Sequence, residues 1–121
     1  MTPSDGELIA MVIAGKDQRA FSSLVTRYQS AVRAVLMRLC RNAALADDLA
    51  QETFIKAYNK ISAYSGAGSF KAWLCRIAYN EFLMSARKRK AIDKTMEKLK
   101  AQPMETHQAP ADGGARVDLD R

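Results

Sequence analysis

Arg76, Asn80 and Arg87 stand at i, i+4 and i+11 within Ser69 to Lys90, SFKAWLCRIAYNEFLMSARKRK. In a helix that spacing returns all three to one side. Two cations there can hold an anion, and the amide between them offers both a donor and an acceptor. Four consecutive cations, Arg87, Lys88, Arg89 and Lys90, close the stretch. Ser69 suits an N-cap, since its hydroxyl can accept from a first-turn amide. Phe70, Trp73, Leu74 and Ile77 then mark one apolar face, and no Gly or Pro falls inside the run. Two readings stay open on these residues alone. One is a core helix with a solvated basic end; the other is a helix that docks on a core and touches a polyanion.

The elements that must position this helix are also helical. Ser4 to Glu7 reads S-x-x-E, a capping-box pattern, so a first helix is expected from about Asp5 to Ala14, with Gly15 as a left-handed cap. Asp17 can cap a long amphipathic helix, about Gln18 to Cys40, with Ala20, Phe21, Leu24, Val25, Tyr28, Val32 and Leu36 on its stripe. Arg19, Arg27, Arg33, Arg38 and Arg41 fall mostly off that stripe and read as a solvated face. Asn42 can cap a third helix, about Ala43 to Ile61, whose core stripe is Leu49, Ala50, Thr53, Phe54, Ala57 and Ile61. Asp48, Glu52, Ile55 and Asn59 share its opposite side, bordered by Gln51. Asp47 and Asp48 also suit a helix start on electrostatic grounds, so a charged helix start and a binding face both remain readings of that side. Ser62 to Gly68, SAYSGAG, is a loop of small residues with Tyr64 its one large side chain. It is either a plain connector or a ligand-contacting loop. Ile92, Met96 and Leu99 can extend the fourth helix to about Lys100, and Pro103 stops it.

The chain has 121 residues, enough for one domain with a modest core. Its net charge of +6 is localised: residues 70–100 hold nine Lys or Arg against three acids, and the remainder balances. A basic block on a balanced protein points to a polyanionic partner. Cys40 and Cys75 are lone cysteines in apolar helical patterns and read as buried thiols of a cytoplasmic protein. There is no C-x-x-C, and the one histidine, His107, lies in the tail, so neither a metal site nor a cofactor is expected. No signal peptide, membrane-length apolar run, strand alternation or repeat is read.

D-D-L-A-Q-E-T-F-I-K-A-Y at Asp47 to Tyr58 and S-F-K-A-W-L-C-R-I-A-Y-N at Ser69 to Asn80, with G-K-D-Q-R-A-F-S-S-L-V-T-R-Y at Gly15 to Tyr28, resemble region 2 of the extracytoplasmic-function (group 4) bacterial sigma factors. The resemblance covers residues 7–95. It implies an all-α bundle of four main helices over residues 1–95, of sigma region 2 type; residues 96–121 read as an interdomain linker or flexible tail, and the region 4 that the family normally carries is not read in this sequence, a departure from the family. It implies promoter recognition and minus-ten melting as a dissociable polymerase subunit, and no enzyme activity.

The resemblance also implies roles for matching positions. Asp48, Gln51, Glu52 and Ile55 would dock on the clamp helices of the largest subunit of core RNA polymerase. The loop residues Tyr64, Ser65, Gly66 and Ser69, together with Asn80, would hold and read a flipped base of the non-template strand. Lys71, Arg76 and Arg87, Lys88, Arg89 and Lys90 would meet phosphates. An anti-sigma factor is a further implied partner, and no membrane is. Met84 stands where many members carry an acid, and Glu81 and Phe82 where small or aliphatic residues are commoner; these departures bear on base preference. The rival readings are a helical protein–protein interaction module without a sequence-specific DNA role, and a membrane-surface helix using Phe82, Leu83 and the Arg87 to Lys90 cluster.

Overall fold

Each helix starts where a side chain can accept a first-turn amide. Ser4 and Glu7 form a reciprocal capping box, with Glu7 N donating to Ser4 Oγ at 3.1 Å and Ser4 N donating to Glu7 Oε1 at 2.8 Å. Asp17 Oδ1 accepts from the amides of Arg19 and Ala20 at 3.0 and 3.1 Å. Asn42 Oδ1 accepts from Leu45 N at 2.9 Å, and Ser69 Oγ from Ala72 N at 3.0 Å. Such a cap contributes about 1 kcal/mol to its helix. The computed structural model describes residues 2–66 and 68–101. In it the four caps open α1 (Asp5–Gly15), α2 (Gln18–Cys40), α3 (Ala43–Lys60) and α4 (Phe70–Ala101). A single 3-10 turn, Ile61–Ala63, follows α3. The all-α fold read from the sequence is the fold observed, with no strand among the described residues.

The chain divides into two compact units, Met1–Leu83 and Met84–Arg121. The first unit holds α1, α2, α3, the 3-10 turn and the start of α4 around one core. Val12, Leu24, Val32, Leu36, Ile61 and Leu74 are among its fully enclosed side chains. Thr53, also enclosed, donates its hydroxyl to the Leu49 carbonyl at 2.7 Å, so its polar atom is satisfied within its own helix. The described part of the second unit, residues 84–101, is helical and exposes Ile92, Met96 and Leu99. Residue 95, the expected end of the domain, falls inside α4; residues 102–121 of the expected tail, His107 among them, lie outside the described residues. No helix among the described residues is long and apolar enough to cross a membrane.

Three local expectations are corrected. The left-handed cap of α1 is Lys16 (φ 54°), not Gly15, which stays helical. A residue with a side chain is strained there by about 1–2 kcal/mol. Tyr58 compensates: its hydroxyl donates to the Lys16 carbonyl at 3.2 Å, and the Lys16 ammonium lies 4.9 Å from its ring centre. Second, Arg27 is not solvated but half-buried against Asp5, and Arg33 pairs with Asp47 at 2.6 Å while remaining exposed. Third, Cys40 and Cys75 are half-buried rather than buried.

The burial pattern sets an expected stability difference. Leu24→Ala, at a position with 0% exposure, should cost about 2–5 kcal/mol. Leu99→Ala, 41% exposed, should change stability by less than about 0.5 kcal/mol. Urea unfolding of the two variants checks this, and equal midpoint shifts would contradict the assigned core.

Candidate functional site

Two surfaces of the first unit carry chemistry beyond the core. The first is on α3. Asp48, Gln51, Glu52, Ile55 and Asn59 are all exposed, with Ile55 at 52%. Between α2 and α3 runs a groove of about 690 Å³, walled by Phe21, Val25, Phe54 and Tyr58 and edged by Gln51 and Ile55. Phe21 and Tyr58 meet edge to face at 5.0 Å, which holds the wall rigid. The Arg33–Asp47 ion pair also lines the groove. Of the four residues expected to share a docking role, Gln51 and Ile55 line the groove; Asp48 and Glu52 are exposed on the same helix without lining it. The groove itself was not expected. Phe21, Val25 and Phe54 read as core stripe, and they are half-buried because that stripe is wider than the neighbouring helix can cover.

The second surface is built from the loop before α4. Gly66 (φ 87°) and Gly68 (φ 78°) take left-handed conformations that a side chain would strain, which is why the loop needs glycine at both. Tyr64 anchors it. Its ring packs against Phe70 at 5.5 Å and Trp73 at 5.4 Å, and its hydroxyl donates to the Gly68 carbonyl at 2.8 Å. Phe70 in turn meets Tyr28 of α2 at 5.8 Å. Ser65, Gly66 and Ser69 are exposed on the loop. They line a cavity of about 490 Å³ whose opposite wall is the start of α1, at Asp5, Gly6 and Ile9.

That wall is pinned from α2. Arg27 Nη1 donates to Asp5 Oδ1 at 2.7 Å, the Tyr28 hydroxyl donates to Asp5 Oδ2, and Arg27 Nη2 donates to the Pro3 carbonyl. The hydrogen bond to Asp5 raises the Tyr28 pKa above the ordinary tyrosine value, with burial and the Asp5 charge adding to the rise. The contribution of α1 to the cavity had no signal in the sequence, because Asp5 and its partners lie 22 and 23 residues apart.

Along α4, Lys71, Arg76 and Asn80 are exposed, as their spacing required. A rise of about 1.5 Å per residue puts Asn80 about 15 Å along the axis from Phe70. In the second unit Arg87, Lys88, Arg89 and Lys90 are all exposed on consecutive helical positions. Steps of about 100° spread them around the helix, so they present positive charge on several sides rather than one binding face.

The family model for Sigma-70 region 2 matches residues 24–92, and the chain belongs to that family. Within it the chain is similar to named RNA polymerase sigma factors. It is 42% identical over 76 residues to the RNA polymerase sigma-H factor of Pseudomonas aeruginosa, covering 63% of this chain and 39% of that one. It is 40% identical over 77 residues to the ECF RNA polymerase sigma-E factor of Escherichia coli, covering 64% and 39%. The chain thus spans about two fifths of the length of these relatives. A solved NMR structure, an engineered region 2 of sigmaE in complex with GTAAAA, superposes with TM-score 0.65 at 35% identity, covering 74% of this chain and 97% of that one.

The Tyr28–Asp5 bond gives a pH signature. The folded protein holds the Tyr28 proton more tightly than the unfolded chain does. The bond's contribution is therefore whole below the unfolded value of about 10, and it is lost as pH rises through the higher folded value. Tyr28→Phe should cost about 1 kcal/mol at pH 7 and should shrink the alkaline loss of stability. Unfolding midpoints followed from pH 7 to about 12 test this; parallel curves for the two proteins would rule the bond out as the cause.

Proposed function

We propose that this chain acts as region 2 of an extracytoplasmic-function sigma factor: it binds core RNA polymerase through α3 and captures the separated non-template strand of the minus-ten element through the loop and α4. The observation that carries the reading is the cavity of about 490 Å³ between the anchored glycine loop and α1, lined by the exposed Ser65, Gly66 and Ser69. It offers hydroxyl and backbone polar groups in a concave site, which suits a base turned out of its stack.

Each residue then has a role. A base enters the cavity, with Tyr64 holding the loop in shape rather than stacking on the base. Asn80 meets the edge of a second base with its paired donor and acceptor. Lys71 and Arg76 hold phosphates, and Arg87, Lys88, Arg89 and Lys90 form a diffuse basic screen for the strand. On α3 the groove takes the apolar side of a helix from the polymerase clamp, with Gln51 and Ile55 at its edge. Asp48 and Glu52 meet basic side chains of that helix beside the groove, in pairs closed off from water on docking. The work is binding and strand separation in the cytoplasm, with no bond of the DNA made or broken. On this reading residues 1–95 form the domain and 96–121 an interdomain linker or flexible tail, and an anti-sigma factor that covers these surfaces belongs to the same reading.

Two measurements follow. Glu52→Lys should weaken core-polymerase binding by about 2–5 kcal/mol, far more than Glu97→Lys on the second unit; equal losses would remove α3 as the docking helix. Replacing Arg87 to Lys90 together by alanine should lower the salt dependence of single-strand binding by roughly 0.7 in slope for each phosphate no longer neutralised, with the melting temperature held. An unchanged slope would reduce the cluster to a solvated helix end and leave the phosphate contacts to Lys71 and Arg76.

A further inference from the structure

Among the described residues, Glu81 is the buried charged side chain, at 7% exposure. It continues the inward stripe of Phe70, Leu74 and Ala78 on α4, where an apolar residue would cost nothing to bury. Its Oε2 lies 2.6 Å from Lys56 Nζ on α3, whose side chain is 33% exposed. A buried carboxylate is costly without its partner, and an ion pair of this kind is often no more stabilising than an apolar pair of similar size. What it supplies is direction. A one-residue rotation of α4 turns the helix by about 100°, and an apolar stripe resists that rotation only through shape. The ion pair forms in one rotation alone.

That rotation decides where Asn80 points, because Asn80 precedes Glu81 directly and is exposed. Lys56 follows Ile55, which edges the groove on α3. We infer that the Lys56–Glu81 pair is a positioning strut for base selection: it fixes the rotation of α4 on α3 so that Asn80 faces the DNA, and it ties that rotation to the helix that meets the polymerase. This rests on the base-reading role given to Asn80 above. Glu81 and Lys56 touch no base under this inference, so their effect runs through Asn80.

The test uses the full chain and a panel of labelled single-stranded hexanucleotides differing at one base, with discrimination read as the ratio of the tightest to the weakest Kd. Asn80→Ala, Glu81→Gln, the double variant Asn80→Ala/Glu81→Gln, and the apolar pair Lys56→Met/Glu81→Leu are compared, each with its melting temperature. The apolar pair should melt at or above the parent temperature and yet lose discrimination at least threefold, with the weakest oligonucleotide bound as before. Glu81→Gln, which keeps the shape of the side chain, should lose discrimination in the same direction. The Asn80→Ala/Glu81→Gln double variant should lose no more than Asn80→Ala alone, since residues acting through one interaction are not additive. If the apolar pair fails to fold, the Glu81→Gln and double-variant comparison decides alone. Full discrimination in Glu81→Gln beside a clear loss in Asn80→Ala overturns the strut and leaves the base-reading role standing; so do additive losses in the double variant. Unchanged discrimination in Asn80→Ala overturns the base-reading role, and the strut with it.

Discussion

Phe70 is the constraint on which the functional half of this domain depends. It is the first residue of α4 and only 3% exposed. Its ring meets Tyr28 on α2, Tyr64 in the loop and Trp73 one turn further along its own helix. Each ring pair contributes about 0.5–1.5 kcal/mol beyond the area it buries. The larger consequence is geometric. One side chain fixes the start of α4, the near end of the loop and the distance of both from α2. Tyr28, whose ring meets Phe70, gives its hydroxyl to Asp5, so the same cluster reaches the wall of the loop cavity on α1.

A loop with glycine in left-handed conformations at two positions has much conformational freedom to lose when it closes on a ligand. Here part of that loss is taken on folding. The Tyr64 hydroxyl bonds Gly68 across the loop, the Ser69 hydroxyl caps α4 immediately after it, and the Tyr64 ring is held between Phe70 and Trp73. Pre-ordering of this kind raises affinity without adding an interaction, since less freedom remains to be lost on binding. The one large residue of the loop both packs on Phe70 and Trp73 and joins the small ones in lining the cavity.

Much of this was legible in the sequence because much of it is local. The caps at Ser4, Asp17, Asn42 and Ser69 each act within three residues, and the helix stripes repeat within a turn. The exposure of Asp48, Glu52, Ile55 and Asn80 follows from those stripes by geometry. What stayed hidden joins distant residues. Nothing near Lys16 predicts a left-handed cap, because the compensating ring is Tyr58, 42 positions away. Arg27 read as solvated because its partner Asp5 belongs to another helix. Phe21 and Phe54 were legible as apolar but not as groove walls, since whether an apolar residue is covered depends on the width of the helix that packs over it.

The charge pattern adds a last step. The excess of positive charge lies within residues 70–100, while α3 presents Asp48 and Glu52 outward in the part of the chain whose charges balance. Exposed charges more than about 8–10 Å apart are largely screened at physiological salt, so the two helices can each attract a partner of opposite sign at short range. Of the three acids within that basic stretch, Glu81, Asp93 and Glu97, Glu81 is the buried one. Its position on the inward stripe, against a lysine of α3, removes its charge from the exposed basic side of the helix. An exposed acid beside Asn80 would repel phosphate; a buried, paired one does not, and under the inferred strut it also sets the direction of the amide.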